Sequence, residues 1–167
     1  ESILWYSQEI TRRLGDEVFK AYVRKLRYGN ADVRGDLGKD DGLTRSWLSS
    51  SLRISADEQA AFMRRIVAGD LPISQRAIEA TVSIVPSFQT ADGWNVQGKI
   101  GSGSLRRKNG KLNPARPIGW FVGWAEKGGR KITFARLRVG AERPTEPSGL
   151  ALRVAFLKEL PSLMQGK

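Results

Sequence analysis

Apolar residues recur at helical spacing through the first half of the chain and alternate through much of the second. Ile3, Leu4, Ile10 and Leu14 predict a helix over 3–14, with Gly15 placed to stop it. Asp16 reads as the N-cap of a second helix reaching Leu26, with Val18, Phe19, Tyr22, Val23 and Leu26 on its inner face. Tyr28-Gly29-Asn30 breaks that helix. Residues 31–46 carry Gly35, Gly38 and Gly42 among charged turn formers and predict a long loop, a kind that is usually functional or mobile. Ser55-Ala56-Asp57-Glu58 is a capping box for a helix running to Ala68. Gly69 stops it, and Phe62, Met63 and Ile66 point inward. A shorter helix over 74–85 ends at Pro86.

The period then shortens to two. Strands are predicted over 94–99, 118–126 and 131–138, with Gly128-Gly129 as a hairpin turn between the last two. Residues 101–117 contain three Gly, two Pro and five Lys or Arg, a composition that predicts a second long loop. Residues 140–148 form a Pro-rich loop, and a terminal helix covers 149–164, with Pro161 a candidate early stop. The order predicts an α+β fold: an antiparallel sheet flanked by helices, plus a helical region. It divides into a helical region with loops over 1–90 and sheet strands with the terminal helix over 91–167. The strand 118–126 has Ile118, Trp120, Val122 and Trp124 on one face and Gly119, Phe121, Gly123 and Ala125 on the other. A strand apolar on both sides is expected to be covered on both. Three strands offer too little cover, so the fold is expected to be incomplete without a further segment.

Composition narrows the chemistry. The chain has neither Cys nor His, which removes disulfides, thiol nucleophiles, Ser-His triads and nearly all zinc sites. Catalysis would run on Ser, Lys, Tyr or carboxylates. The formal charge of +11 raises the question of nucleic acid, with the Trp-rich strand as a stacking platform. No apolar run is long enough to span a membrane.

Four short signals follow one another: Ser2-Ile3-Leu4, Tyr28-Gly29-Asn30, Lys99-Ile100-Gly101 and Gly119-Trp120-Phe121-Val122-Gly123-Trp124. Each has an ordinary reading as cap, turn, strand end or core strand. Together with Trp47-Leu48 and Leu52-Arg53-Ile54-Ser55 between them, they resemble the class D serine β-lactamases across nearly the whole chain. The resemblance implies a β-lactamase/transpeptidase-like fold and hydrolysis of β-lactams through an acyl-enzyme. It implies that Ser2 relays a proton to the departing nitrogen and that Lys99 tunes that serine. It makes the Ser102 N–H an oxyanion donor, and Arg153 the grip on the substrate carboxylate, with Ile100 and Gly101 lining the substrate strand. Trp47 would hold the general base, and Tyr28, Gly29 and Asn30 would shape the site. An arginine fork suits a carboxylate in any case.

The chain departs from that pattern in three places. Leu4 stands where the family has Val, and Ile100 where it has a hydroxyl residue that helps bind the carboxylate. No serine has Lys three residues on, so the family's Ser-x-x-Lys nucleophile motif is missing. The nucleophile, and the lysine that becomes carbamylated, are therefore expected on an N-terminal segment of the same protein. The expected partners are that segment and a β-lactam, with no nucleic acid, no membrane and no cofactor or metal. A bacterial periplasmic or secreted location follows from the resemblance. The alternative is a penicillin-binding sensor or degenerate homologue, which Ile100 favours modestly.

Overall fold

The structure is a computed structural model and describes residues 3–165. The chain forms two compact units, Glu1–Glu58 and Gln59–Lys167.

The first unit is helical. Helix α1 spans Leu4–Leu14 and α2 spans Asp16–Lys25. Gly15, with φ +76°, ends the first and caps the second. Asp16 is therefore the first helical residue rather than the N-cap. Its carboxylate pairs with Lys20 one turn on, while its negative charge sits at the positive end of the helix dipole. The predicted inner face of α2 is only partly used: Val23 is buried and Phe19 half-buried, but Val18 and Tyr22 are exposed. On α1 the apolar side chains Leu4, Trp5, Tyr6, Ile10 and Leu14 are also exposed, with Trp5 at 66%.

The expected long loop contains a one-turn helix, α3, Gly42–Arg45, and its polar side chains cross-link it. The Ser51 hydroxyl donates to the Asp32 carbonyl at 2.8 Å and accepts from the Gly35 N–H at 2.9 Å. The Ser50 hydroxyl donates to Asp36 Oδ1 at 2.6 Å. Thr11 Oγ1 of α1 reaches the Leu43 carbonyl, and Gln8 Nε2 donates to the Thr44 carbonyl at 3.0 Å. The capping box forms as predicted: the Ser55 N–H donates to Glu58 Oε2 at 2.8 Å, and the Glu58 N–H donates to Ser55 Oγ at 3.2 Å. It opens α4, Ala56–Ala68.

The second unit carries the sheet. Helix α5, Gln75–Ser83, is capped by Ser74, whose hydroxyl accepts from the Ala77 N–H. Four antiparallel strands follow in spatial order β1 (Ser87–Gln89), β2 (Asn95–Arg106), β3 (Leu112–Lys127) and β4 (Arg130–Val139). Residues 101–117, expected as a loop, are instead the long β2–β3 hairpin. Pairing runs unbroken from Asn95↔Glu126 to Ser104↔Pro117 and resumes after a bulge at Arg106↔Leu112. Glycine and proline weaken a strand in isolation, but a partner strand already in register supplies the ladder. The sheet has four strands rather than three because Ser87–Gln89 also pairs.

Helix α6, Ser148–Gln165, keeps its helical path through Pro161 and lies against one face of the sheet. Val96, Phe121, Ala125 and Phe134 from the strands meet Leu152, Phe156 and Leu160 from the helix. The rings of Phe134 and Phe156 lie 4.2 Å apart between centroids. The other face of β3 fares differently. Trp124 is buried and donates to Gln97 Oε1 at 3.0 Å, but Ile118, Trp120 and Val122 are only half-buried. The expectation of a strand fully covered on both sides therefore holds for the α6 side alone.

Candidate functional site

The geometry that matters in the second unit begins where β1 stops. Strand β1 pairs with β2 only as far as Ser87↔Gln97, and the Gly98 N–H donates to the Pro86 carbonyl at 3.0 Å. Beyond that point, among the described residues, no strand lies on the outer side of β2. Backbone groups alternate between the two sides of an antiparallel strand. The N–H groups of Ile100 and Ser102 therefore point to the same outer side as that of Gly98, onto an open edge. Such an edge offers hydrogen-bond donors and acceptors in a row to an extended or flat ligand.

Lys99 sits at the start of this edge and is exposed. Its ammonium donates to the Ile100 carbonyl at 3.0 Å, and desolvation holds its pKa below the ordinary lysine value. Its side-chain direction matches that of its neighbour Val122, away from α6. Ile100 points the other way and packs on the core cluster under α6. Gly101 follows Ile100, and a Cβ on Gly149 would come within 2.5 Å of its carbonyl oxygen. The first turn of α6 can thus approach β2 only because residue 149 has no side chain. The Ser102 hydroxyl accepts the Gly149 N–H at 3.0 Å and fastens that turn to the strand edge.

Arg153 follows one helical turn later. Its guanidinium lies over the ring of Phe88 on β1, 4.6 Å from the centroid. Phe88 in turn meets the Phe121 ring edge-on at 6.2 Å. An aromatic face attracts a cation and limits where a long side chain can go. Phe88 was not singled out from the sequence. A lone aromatic in a short strand carries no signal until the sheet register places it beneath α6.

The remaining predicted residues belong to the first unit. The Asn30 N–H donates to the Arg53 carbonyl at 2.9 Å, and Asn30 Nδ2 donates to the Ser51 carbonyl at 2.9 Å. Asn30 Oδ1 accepts from the Arg53 N–H at 2.9 Å. Gly29 has φ +54°, and a Cβ there would run into the Arg53 carbonyl oxygen. Tyr28-Gly29-Asn30 is therefore a backbone clamp that pins the loop to Leu52-Arg53-Ile54. Trp47 is half-buried with its ring edge-on to Phe19, 6.1 Å between centroids. Beside it the fully buried Ser46 hydroxyl has no hydrogen-bond partner among the described residues. Ser2 lies outside the described residues. Among the described residues, no three acidic side chains gather to hold a metal ion.

Comparison with known proteins places the chain in a family. The family model "Penicillin binding protein transpeptidase domain" matches residues 1–161. The chain is 53% identical over its whole length to "Beta-lactamase OXA-9" of Klebsiella pneumoniae, of which it covers 61%. It is 36% identical to "Beta-lactamase OXA-1" of Escherichia coli over 83% of the chain and 49% of that protein. The crystal structure of the OXA-427 class D β-lactamase superposes with a TM-score of 0.87 at 39% identity, covering 98% of this chain and 66% of that one. The chain thus spans about three fifths of the OXA-9 relative, with class D β-lactamases as its relatives in both sequence and structure. It belongs to the penicillin-binding protein transpeptidase domain family.

Proposed function

We propose that this chain is the sheet-bearing part of a class D serine β-lactamase, which acts when combined with a segment that carries Ser-x-x-Lys. The observation that carries the reading is the open outer edge of β2, which starts at Lys99 and exposes the Ser102 N–H. A β-lactam lies along that edge, with its carbonyl oxygen toward the Ser102 N–H and its carboxylate toward Arg153. An oxyanion donor of this kind is typically worth about 3 kcal/mol of transition-state stabilisation. Lys99 supplies positive charge beside the reacting group, and Ser2 relays the proton to the departing nitrogen. Ile100 has no hydroxyl to offer and packs on the core under α6, so Arg153 carries the carboxylate alone. Trp47 bounds the carbamylated lysine of the added segment, and the Tyr28–Asn30 clamp fixes the loop beside it.

The exposed apolar row on α1 in the first unit, and separately the half-covered outer face of β3 in the second, each support a further segment as cover. Identity of 53% to a β-lactamase over the full chain favours a hydrolase over a sensor. A periplasmic or secreted bacterial location is part of the same proposal.

Mass spectrometry after treatment with benzylpenicillin tests it. The 167-residue chain alone stays unmodified, because it holds no Ser-x-x-Lys. Mixed with a class D N-terminal segment, the preparation hydrolyses the drug and shows the acyl adduct on that segment's serine. A stoichiometric adduct on a serine of this chain would refute the reading, as would a reconstituted complex that is never acylated.

A further inference from the structure

From Gly93 to Ala125 the chain has no carboxylate side chain, while Lys99, Arg106, Arg107, Lys108, Lys111 and Arg116 all fall within that span. The fold concentrates this charge. Because 101–117 is a paired hairpin, Arg107, Lys108 and Lys111 are held together at its tip. The Arg107 N–H closes the turn on the Lys111 carbonyl at 2.8 Å. All three side chains are exposed, and none makes an ion pair among the described residues. Glu142 and Glu146 belong to the loop after β4, where the Gly140 N–H donates to the Pro117 carbonyl, and among the described residues neither forms an ion pair with these three cations. Leu105 and Leu112 flank the turn and are 37% and 48% exposed. The tip is thus a cationic loop without an ion pair among the described residues, closed by a backbone hydrogen bond, with two exposed aliphatic side chains at its base.

The geometry points to this tip as a peripheral docking surface for an anionic lipid bilayer, where the three cations meet phosphate headgroups and Leu105 and Leu112 enter the boundary with the acyl chains. The sequence predicts no membrane partner, since no apolar run is long enough to span one. Docking at the surface needs no span, and no described helix is long and apolar enough to cross. A nucleic acid is the poorer fit, because residues 105–112 include no aromatic side chain on which a base could stack. Each basic residue near an anionic surface strengthens partitioning on the order of fivefold, and salt screens the effect.

Co-sedimentation of the complete protein, expressed from its own gene, tests this. The probes are large vesicles of pure phosphatidylcholine and of phosphatidylcholine with phosphatidylglycerol. Binding is expected only to the anionic vesicles and is expected to fall steeply with salt. The triple variant R107Q/K108Q/K111Q should lose binding on the order of a hundredfold. The control R24Q/K25Q/R76Q removes the same charge from exposed positions elsewhere and should keep most of it. L105S/L112S retains the charge and should weaken binding several-fold, by removing the apolar contribution. Unchanged thermal transitions show that each variant folds. Three outcomes overturn the proposal: no binding of the parent protein to anionic vesicles, equal losses in the two triple variants, or hairpin-dependent binding to single-stranded DNA with none to vesicles.

Discussion

The two units hold themselves together by different means. In the second, Phe121 sits at 0% exposure among Phe88, Phe134 and Phe156, and a continuous apolar layer joins α6 to the sheet. In the first, Val23 and Val33 are the only aliphatic or aromatic side chains fully buried among the described residues. Its long loop is ordered by hydroxyl, carboxylate and amide hydrogen bonds, while the apolar side chains of α1 face outward. Hydrophobic burial needs no particular partner, only area. Hydrogen-bonded clamps need individual donors and acceptors in place, and each adds only about 1 kcal/mol net. The second unit therefore explains its own stability, whereas the first has apolar surface still to bury.

The sharpest way to break this contrast is a pair of truncations. Phe121→Ala should cost about 3–5 kcal/mol, as expected for emptying a close-packed aromatic site. Trp5→Ala should change the stability of the chain alone by no more than about 0.5 kcal/mol, since the side chain is mostly in solvent. Urea denaturation of the chain would show both. A large loss at Trp5 would mean that α1 buries more than its exposure indicates.

Two glycines with similar backbones sharpen the comparison next. Gly29 and Gly128 have φ of +54° and +56°, but a Cβ meets the Arg53 carbonyl at the first and nothing within 4 Å at the second. Gly128→Ala should cost about 1 kcal/mol, for the left-handed backbone alone. Gly29→Ala should cost about 2–3 kcal/mol, because the clamp must also open. Amide hydrogen exchange at Asn30 and Arg53 should rise only in the second variant. Equal costs with no change in exchange would show that the clamp does not order the loop.

Phe88 tests how the core of the second unit reaches its edge. Under the proposed function, Phe88→Ala in the chain reconstituted with a Ser-x-x-Lys segment should raise KM for penicillins about three- to tenfold with little change in kcat, since it frees Arg153 rather than removing it. Phe88→Tyr should restore most of the loss. A fall in kcat alone would place Phe88 outside the carboxylate grip.

The smallest effect is electrostatic and belongs to the first unit. The Arg34 guanidinium, through side-chain hydrogen bonds, lowers the Asp32 pKa from 3.8 to about 2. A depressed carboxylate contributes stability above its unfolded pKa and loses it as pH falls through the folded one. The contribution should therefore be complete above about pH 4 and fade toward about pH 2. Its size is at most about 1 kcal/mol, since Arg34 is exposed and screened. Asp32→Asn should remove that part of the acid dependence, and an unchanged acid limb would show the pair to be idle.

Local chemistry made much of this legible from the residues. Gly15 and the Ser55–Glu58 box act through their own neighbours, so the helix boundaries they mark appeared where expected. Lys99-Ile100-Gly101 and the Trp-rich strand were readable because their order and spacing carry the resemblance. What the sequence could not decide was everything that depends on a distant partner. Residues 101–117 look like a loop because Gly and Pro are poor strand formers alone, yet strand pairing across the hairpin overrides that preference. The direction of Ile100 depended on sheet register, which sends alternate residues to opposite faces. Phe88 gained its place under Arg153 only when β1 paired and α6 packed over it. Residue types and their local order thus determined the helices, the central strands and the family, while long-range pairing decided β1 and the 101–117 hairpin, and packing decided which side chains meet.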